Sequence, residues 1–448
     1  RADGVPSMTR EAEGRSPMAL AARTTVMPDW PLASLSALDT APGGRYTQIR
    51  DAGGPSAPPL VVWNSNGGES TPPGLRLVRC LSADCRLRNV TSVAGVDGDP
   101  RFVRMELAPD APLLAFVAAN STELHLVRCR DVRCAAGRST RRLGAPVHKV
   151  RHPDLLVARR NVTRPPLVAA TFCSTASCEL RLFECGAPPV DVVVDRSAPF
   201  SVNASTGLPT GGLEMPTLAE LDDGSVALAY WHVEQRALRL AFDASDPARR
   251  SVVTVAAGSA GARSSPGAWV RMVASGGQLV LLFFDLPRGV LLKAVCSQAT
   301  RRCGAPSLVD GAVSQGDVSD YGAGGFPELR VPPAHFAARG VAGGPAYVYF
   351  SDIAAAPTDD GAHGTGELRA FFCRDAGCTD AAGWDRRVLA RGAAGFGRDA
   401  SIAFAVNETR PEFLVSFLDL QGMDRPEAMV ARLAVFEGPP PGEHKIGM

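Results

Sequence analysis

Charged and polar residues recur at two places along this sequence: directly after very apolar segments, and at the start of the segments that precede them. The first set is His232, Asp285, Asp352 and Asp419. The second set is Arg45, Asp97, Asp99, Arg101, Glu214, Arg271, Tyr321, Glu328 and Arg398. Arginine forks bind carboxylates, and carboxylates accept hydrogen bonds from sugar hydroxyls. The two sets therefore predict a polar ligand-binding face. The alternative is that such residues only cap turns.

The carboxylates in these sets also admit a glycoside hydrolase. Such an enzyme needs two carboxyl groups, about 5–5.5 Å apart for retention of configuration or 6.5–9.5 Å apart for inversion. Asp97 and Asp99 could face Glu214, Glu328 or Asp352 in this way. Nothing in the sequence selects one pair, so the catalytic residues stay unassigned and a binding module is favoured over an enzyme.

Three smaller signals suggest metal or thiol chemistry. His148 and His152 stand four residues apart and could share one face of a strand, although an ordinary surface or channel histidine is the alternative. Asp359 and Asp360 could ligate calcium, but their spacing matches no EF-hand and favours a loop insertion. Cys185 has no close partner, which indicates a buried inert thiol or an intermolecular bridge. We predict neither a metal nor a cofactor.

The remaining cysteines fall into close pairs, which indicates disulfide-stapled hairpins instead of zinc ligation. The predicted bonds are Cys80–Cys85, Cys129–Cys134, Cys173–Cys178, Cys296–Cys303 and Cys373–Cys378. Five Asn-x-Ser/Thr sequons accompany them, at Asn89, Asn120, Asn161, Asn203 and Asn407. The chain begins at Arg1, so we expect that a signal peptide was removed. Together these features predict a secreted or cell-surface glycoprotein.

The elements that position these residues form a repeat. The segment Leu-x-x-x-x-Cys recurs as LRLVRC (75–80), LHLVRC (124–129), LRLFEC (180–185), LLKAVC (291–296) and LRAFFC (368–373). Two further copies, at 238–243 and 431–436, lack the cysteine. Each copy follows a strand that opens near a large residue and then a very apolar strand, and a fourth strand closes the unit. Seven four-stranded units without helical periodicity predict an all-β fold, a seven-bladed β-propeller.

The ends of the repeat predict how the ring closes. The last unit runs into Gly438-Pro-Pro-Pro-Gly442, and a proline run cannot complete a sheet. We therefore expect residues 32–39 to supply the missing strand of the last blade. This divides the chain into an N-terminal tail (1–31), the propeller (32–437) and a Pro-rich C-terminal linker (438–448), so that it would be one module of a larger multidomain chain.

The first units also show a family resemblance. GGRYTQI (43–49), an apolar strand and LRLVRCLSADC (75–85) resemble a repeat of secreted propellers that are distantly related to the sialidase or BNR type. The Asp-boxes and the Arg-Ile-Pro motif of sialidases are absent. The resemblance therefore implies the fold, and it implies a sialidase-like glycoside hydrolase only as an alternative.

Composition limits the partners. Forty-seven basic and 46 acidic residues give a net charge of +1, which excludes a global attraction to nucleic acid or anionic membranes. No apolar run approaches the roughly 20 residues that cross a bilayer, so we predict no membrane insertion. The sequence favours an extracellular module that recognises a glycan or another extracellular protein on the loop face. A structural subunit of a cell wall or surface appendage is a further alternative.

Overall fold

The computed structural model describes most of the chain between residues 32 and 437. The described residues are 32–38, 43–50, 59–65, 73–82, 85, 87–98, 100–109, 111–134, 138–204, 209–258, 264–311, 328–330, 345–353, 365–373, 375–379, 384–393, 398–406, 411–420 and 429–437. The predicted tail and linker lie outside them, as do Asp99, Tyr321, Asp359-Asp360 and the sequon at Asn407. Regular structure in the described residues is β-strand, apart from one 3₁₀ turn at Leu286–Arg288.

Six groups of four consecutive strands each form one antiparallel sheet. The first three sheets comprise β2 (Gly43–Arg50), β3 (Leu60–Ser65), β4 (Gly74–Cys80) and β5 (Arg88–Asp97); β6 (Arg101–Leu107), β7 (Pro112–Val117), β8 (Leu124–Cys129) and β9 (Arg138–Leu143); and β10 (Lys149–Leu156), β11 (Leu167–Cys173), β12 (Cys178–Glu184) and β13 (Val190–Ser197). The next three comprise β14 (Leu213–Glu220), β15 (Val226–His232), β16 (Ala237–Phe242) and β17 (Ser251–Ala257); β18 (Pro266–Ser275), β19 (Gln278–Asp285), β20 (Val290–Ser297) and β21 (Ser307–Asp310); and β22 (Glu328–Arg330), β23 (Ala346–Ile353), β24 (Thr365–Cys373) and β25 (Trp384–Ala393).

The remaining four-stranded sheet combines both ends of the propeller. Its members are β1 (Leu32–Ala37), β26 (Arg398–Val406), β27 (Pro411–Leu420) and β28 (Met429–Glu437), in the order β1-β28-β27-β26. β1 is antiparallel to β28, with Leu35 opposite Ala434. The start of the described chain therefore completes this sheet, as expected for residues 32–39.

The blade count needs a correction. We predicted seven blades from seven repeats, but single continuous stretches of chain form six blades, not seven, and the other sheet is the composite of β1 with β26–β28. The last repeat supplies only β26–β28 and takes its fourth strand from the other end of the chain, as predicted for residues 32–39, so it does not form a blade by itself. The repeats are thus not equivalent as folding units.

The first strands of the sheets are the innermost ones. β2, β6, β10, β14, β18, β22 and β26 contact one another in this order, and β26 contacts β2 again. This closed cycle places them around one axis, so the described chain is a β-propeller. The second strands lie behind them and are buried on both faces, as in Leu60–Ser65 and Leu167–Cys173. This explains why these runs are largely apolar.

Five disulfides staple the hairpins, and all five predicted pairs are confirmed. Four of them join a third strand to the turn that follows it. Cys173–Cys178 instead joins the end of β11 to the start of β12, at the opposite end of its blade. Cys185 is a free thiol, and burial raises its pKa to about 12. This fits the buried inert thiol of the two predicted alternatives.

Two equivalent hydrogen-bonded locks join neighbouring blades near the outer strands. The carboxylate of Asp195, on β13, accepts a hydrogen bond from the Tyr230 hydroxyl (2.6 Å) and one from Arg239 (3.0 Å), both in the next blade. Asp310, on β21, does the same with Tyr349 and Arg369. In both locks the tyrosine lies directly opposite the arginine in the strand register. Each carboxylate is thus held by two donors of the following blade.

Candidate functional site

The innermost strands share one irregularity near their starts. In β2, β6, β10, β14, β18 and β26 the pairing with the second strand breaks after the opening residues and resumes three positions further on. In five of them the first residue of the break has a left-handed backbone, with φ between 45° and 58°. These residues are Tyr46, Phe102, His152, Met215 and Trp269. Left-handed φ costs bulky residues about 1–2 kcal/mol, and such bulges often aim side chains at functional sites.

These five bulge residues form what we call the collar. Each side chain is partly exposed. The Tyr46 and Phe102 ring centroids are 5.1 Å apart, and those of Phe102 and His152 are 4.2 Å apart. The backbone N–H of Trp269 lies 2.8 Å from Sδ of Met215. The collar therefore lies around the axis at the end where the innermost strands begin, which we call the axial mouth.

The residue that precedes each bulge occupies one equivalent register position. Four neighbouring innermost strands (β26, β2, β6 and β10) have arginine there, namely Arg398, Arg45, Arg101 and Arg151. In β14 and β18 the position holds Glu214 and Ala268. Arg101 is exposed and Arg151 is partly buried. Four adjacent strands of the axial mouth thus each have an arginine at this one equivalent position, and we call these four residues the arginine arc. Guanidinium groups bind carboxylate and sulfate well.

Glu214 connects the arginine arc to the rest of the mouth. Its side chain is 1% exposed; Oε1 lies 3.2 Å from Nε of Arg151 and Oε2 lies 2.9 Å from Nε2 of His152. Neither oxygen accepts a well-aligned hydrogen bond from a residue that the structure describes. Burial lowers the pKa of His152, although Glu214 opposes this shift. The lowered pKa favours the neutral imidazole of His152, so Arg151 is the cation that faces this carboxylate among the residues that the structure describes.

A short hairpin between β13 and β14 holds Arg151 from the other side. The guanidinium carbon of Arg151 lies 3.7 Å from the Phe200 ring centroid, a close cation–π contact. The base of the hairpin is closed by the N–H of Thr210, which donates to the Ser201 carbonyl (2.9 Å). At Gly211 a Cβ would come within 2.3 Å of the Pro199 carbonyl oxygen, so only glycine lets the hairpin fold onto β14. Arg151 is thus fixed between Phe200 and Glu214.

Further along the axis, ion pairs join the same innermost strands. Nε of Arg50 lies 2.8 Å from Glu106, which joins β2 to β6. Nε of Arg104 lies 3.4 Å from Asp154, which joins β6 to β10, and Asp154 also accepts the backbone N–H of Leu218 on β14 (2.8 Å). Burial raises the pKa of Glu106. These pairs lie on the innermost strands beyond the collar.

Two predicted candidates cap turns. Nδ1 of His232 accepts the backbone N–H of Gln235 at 3.4 Å, and burial lowers the pKa of this histidine. The carboxylate of Asp285 accepts the hydroxyl of Ser264 and the backbone N–H of Ser265, both at 2.7 Å. For these two residues the turn-capping alternative describes what the structure shows.

The other candidates divide by what the structure describes. Arg101 and Glu214 occupy equivalent positions at the axial mouth, and Arg271 follows the collar residue Trp269 by two positions. For several more the structure defines only the strand position: Arg45, Asp97, Glu328, Asp352, Arg398 and Asp419. Among the described residues no group of three or more His, Cys, Asp or Glu could hold a metal. His148 is exposed, while His152 pairs with Glu214.

Sequence reasoning missed Arg151 as a candidate and considered His152 only as a metal ligand. The signal was present in the dipeptides Arg45-Tyr46, Arg101-Phe102 and Arg151-His152, each at the start of an innermost strand. Aligning the units on the large opening residue would have placed an arginine before each of these three. The left-handed backbone at these positions could not be read from residue types, because glycine or asparagine usually occupies it.

The described sequon asparagines are accessible. Asn89, Asn120, Asn161 and Asn203 are all exposed, and Asn203 lies on the hairpin that carries Phe200. Five disulfides indicate an oxidising, extracellular environment. No helix among the residues that the structure describes is long and apolar enough to span a bilayer.

Comparison with known proteins adds likeness at the level of the fold. No family model and no curated protein matches the sequence. An oligogalacturonate lyase in complex with manganese is 11% identical over 92% of this chain and 98% of its own, with a TM-score of 0.48. The GH93 α-L-arabinofuranosidase of Fusarium graminearum is 12% identical over 75% of this chain and 93% of its own, with a TM-score of 0.46. A nidogen/laminin complex is 10% identical, and the match covers 58% of this chain and 78% of that chain, with a TM-score of 0.33.

At these identities the solved structures carry no argument about function. The sheet order and the cycle of innermost strands define the class by themselves: an all-β propeller with disulfide-bonded Cys-x4-Cys hairpins. The more specific resemblance to sialidase or BNR repeats stays a prediction.

Proposed function

We propose that the chain is an extracellular recognition module whose propeller domain, residues 32–437, binds an acidic carbohydrate at the axial mouth. The observation that carries this proposal is the arginine that precedes the bulge in four neighbouring innermost strands. A guanidinium group offers a planar pair of donors to a carboxylate or sulfate, and Arg101 is the arginine of this set whose side chain is described as exposed. The exposed sequons and the disulfides support a glycoprotein that acts outside the cell.

The collar supports a sugar over a bare anion. Tyr46, Phe102 and Trp269 are partly exposed aromatic residues next to the arginine arc and Glu214. Aromatic faces provide large and rigid apolar area, which suits the apolar face of a pyranose ring. An arginine followed by a ring in the same strand would contact the acid group and the sugar face together.

A hydrolase is less well supported by the described residues. Glu214 is buried between Arg151 and His152, and Asp285 caps a turn, so neither is placed as a general acid beside a second carboxylate. We therefore propose binding without catalysis. An extracellular protein that carries acidic glycans would be bound by the same surface.

Isothermal titration of the chain with a hexuronic acid trisaccharide, and with a neutral trisaccharide as the comparison, tests the proposal. We expect binding of the acidic sugar only, and a loss of about tenfold or more for Arg101→Gln combined with Arg151→Gln, because two charge-assisted contacts are removed. Arg249→Gln, an exposed arginine of another blade, is the matched control and should bind normally. Equal binding of the neutral sugar, or no effect of the double substitution, would overturn the proposal.

A further inference from the structure

A second charged surface lies away from the axial mouth, on the outer edge of the blade formed by β6–β9. Residues 128–142 contain six arginines and one acidic residue, Asp131, a local charge of +5 in a chain whose net charge is +1. We call the six the basic edge: Arg128, Arg130, Arg133, Arg138, Arg141 and Arg142. β9 is the outermost strand of its sheet.

Four of the six arginines of the basic edge are exposed, and two of these four lack acidic partners in the described residues. Arg128, Arg130, Arg133 and Arg142 are exposed, and Arg142 pairs with Glu123 at 3.1 Å while its side chain stays 53% exposed. Arg130 and Arg133 form no ion pair with any residue that the structure describes. The charge is therefore not cancelled locally, which concentrates positive potential at this edge.

The backbone that carries these arginines is held in place. The disulfide Cys129–Cys134 closes the turn between β8 and β9, and the N–H of Cys134 donates to the Asp131 carbonyl at 3.1 Å. The Thr91 hydroxyl of the preceding blade donates to the Arg133 carbonyl at 3.1 Å, and Nη1 of Arg141 donates to the Gly186 carbonyl of the following blade at 2.8 Å. Because the backbone is already ordered, binding of a polyanion would need to order only the arginine side chains.

From this geometry we propose that the basic edge binds a sulfated polysaccharide. Guanidinium forks suit sulfate oxygens, and clusters of this density are typical of heparin-like or nucleic acid surfaces. The disulfide inside the cluster belongs to an oxidising compartment, which favours the extracellular polysaccharide over nucleic acid. This surface is independent of the axial mouth.

Retention on immobilised heparin across a salt gradient, with affinities from biolayer interferometry at several salt concentrations, tests the proposal. Arg130, Arg133 and Arg142 are replaced together by serine. In a plot of log affinity against log salt concentration, the slope of this triple variant should become less steep by about two to three. Binding should also weaken about tenfold or more near 0.15 M salt. The control replaces three exposed arginines of other blades, Arg159, Arg249 and Arg302, by serine and should match the unmodified chain.

Two further measurements test whether heparin binds at the basic edge and whether the sulfated sugar is recognised specifically. The Arg101→Gln and Arg151→Gln double variant should keep heparin binding, because it changes only the axial mouth; its loss would place heparin at the mouth and overturn the basic edge. Equal affinity for polyglutamate or duplex DNA would contradict recognition of a sulfated sugar. If the triple variant elutes with the unmodified chain and unfolds at the same temperature, the arginines serve only to protect an edge strand, and the proposal is wrong.

Discussion

Carboxylates that contact a neighbouring blade are used in two different ways in this propeller. In the outer lock, Asp195 accepts aligned hydrogen bonds from Tyr230 and Arg239 and is itself 21% exposed. At the axial mouth, Glu214 is more deeply buried, yet its contacts with Arg151 and His152 are close without aligned hydrogen bonds. The first arrangement satisfies the carboxylate and joins blades. The second leaves polar groups incompletely satisfied, which is typical of sites that bind something else.

The lock should dominate stability. Asp195→Asn removes the charge that Tyr230 and Arg239 share, and we expect a loss of about 2–3 kcal/mol in the free energy of unfolding. Tyr230→Phe keeps the ion pair and should cost about half as much. Thermal and urea unfolding measure both, and binding of the acidic trisaccharide should not change. A loss of binding without a loss of stability would show that the two regions are not separate in function.

The histidines should make stability depend on pH. Burial lowers the pKa of His152 and of His232, so the unfolded chain binds protons more readily than the folded one below the ordinary value of about 6.5. The contribution of these two histidines to the free energy of unfolding should therefore be constant above about pH 7, and the free energy of unfolding should fall as the pH decreases below 6.5. Urea unfolding at several pH values measures this.

His152→Gln and His232→Gln separate the two contributions to this pH dependence. Each variant should reduce the fall in the free energy of unfolding below pH 6.5, which we call the acid branch. Only the variant at position 152 should also remove a gain in acidic trisaccharide affinity at low pH, because protonated His152 adds positive charge to the mouth. An unchanged acid branch in both variants would contradict the assigned pKa directions.

Glu214→Gln tests what the carboxylate at the axial mouth does to ligand affinity and to stability. Because this carboxylate opposes anion binding while it compensates Arg151, its neutralisation should raise the affinity for the acidic trisaccharide about fivefold. The cost in stability should be smaller than for Asp195→Asn, about 1 kcal/mol, since no aligned hydrogen bonds are lost. Calorimetry and thermal unfolding on the same sample measure both. Weaker binding would mean that Glu214 contacts the ligand favourably.

The smallest effect concerns the free thiol. Burial raises the pKa of Cys185 to about 12, so the thiolate is scarce at pH 8 and a disulfide reagent should not react with the folded chain. In denaturant one thiol per chain should react. Rapid reaction of the folded protein would contradict the buried position and reopen the possibility of an intermolecular bridge.

Much of the fold could be predicted from the sequence because it is written in periodic features. Apolar runs such as Leu60–Ser65, the cysteine pairs and the proline run after Glu437 predicted the sheets, the staples and the closing strand. The predicted count of seven blades was wrong, because continuous stretches of chain form six blades and the remaining sheet combines both ends of the chain. The locks were missed since Asp195 and Arg239 meet only across a blade interface.

The candidate site was predicted in part. Arg101 and Glu214 lie at equivalent positions near the start of their innermost strands, and their part in binding stays a prediction, whereas His232 and Asp285 cap turns. The collar depends on a left-handed backbone that residue types such as phenylalanine and tryptophan do not announce. A rule based on polar residues alone could not find a site whose frame is aromatic.

A crystal structure of the chain with the hexuronic acid trisaccharide bound tests the central claim most directly. We predict ligand density at the axial mouth, with acid groups within hydrogen-bond distance of the Arg101 and Arg151 guanidinium groups and a sugar ring against the collar. If the ligand at saturating concentration binds elsewhere and does not contact Arg101 or Arg151, binding at the axial mouth is contradicted.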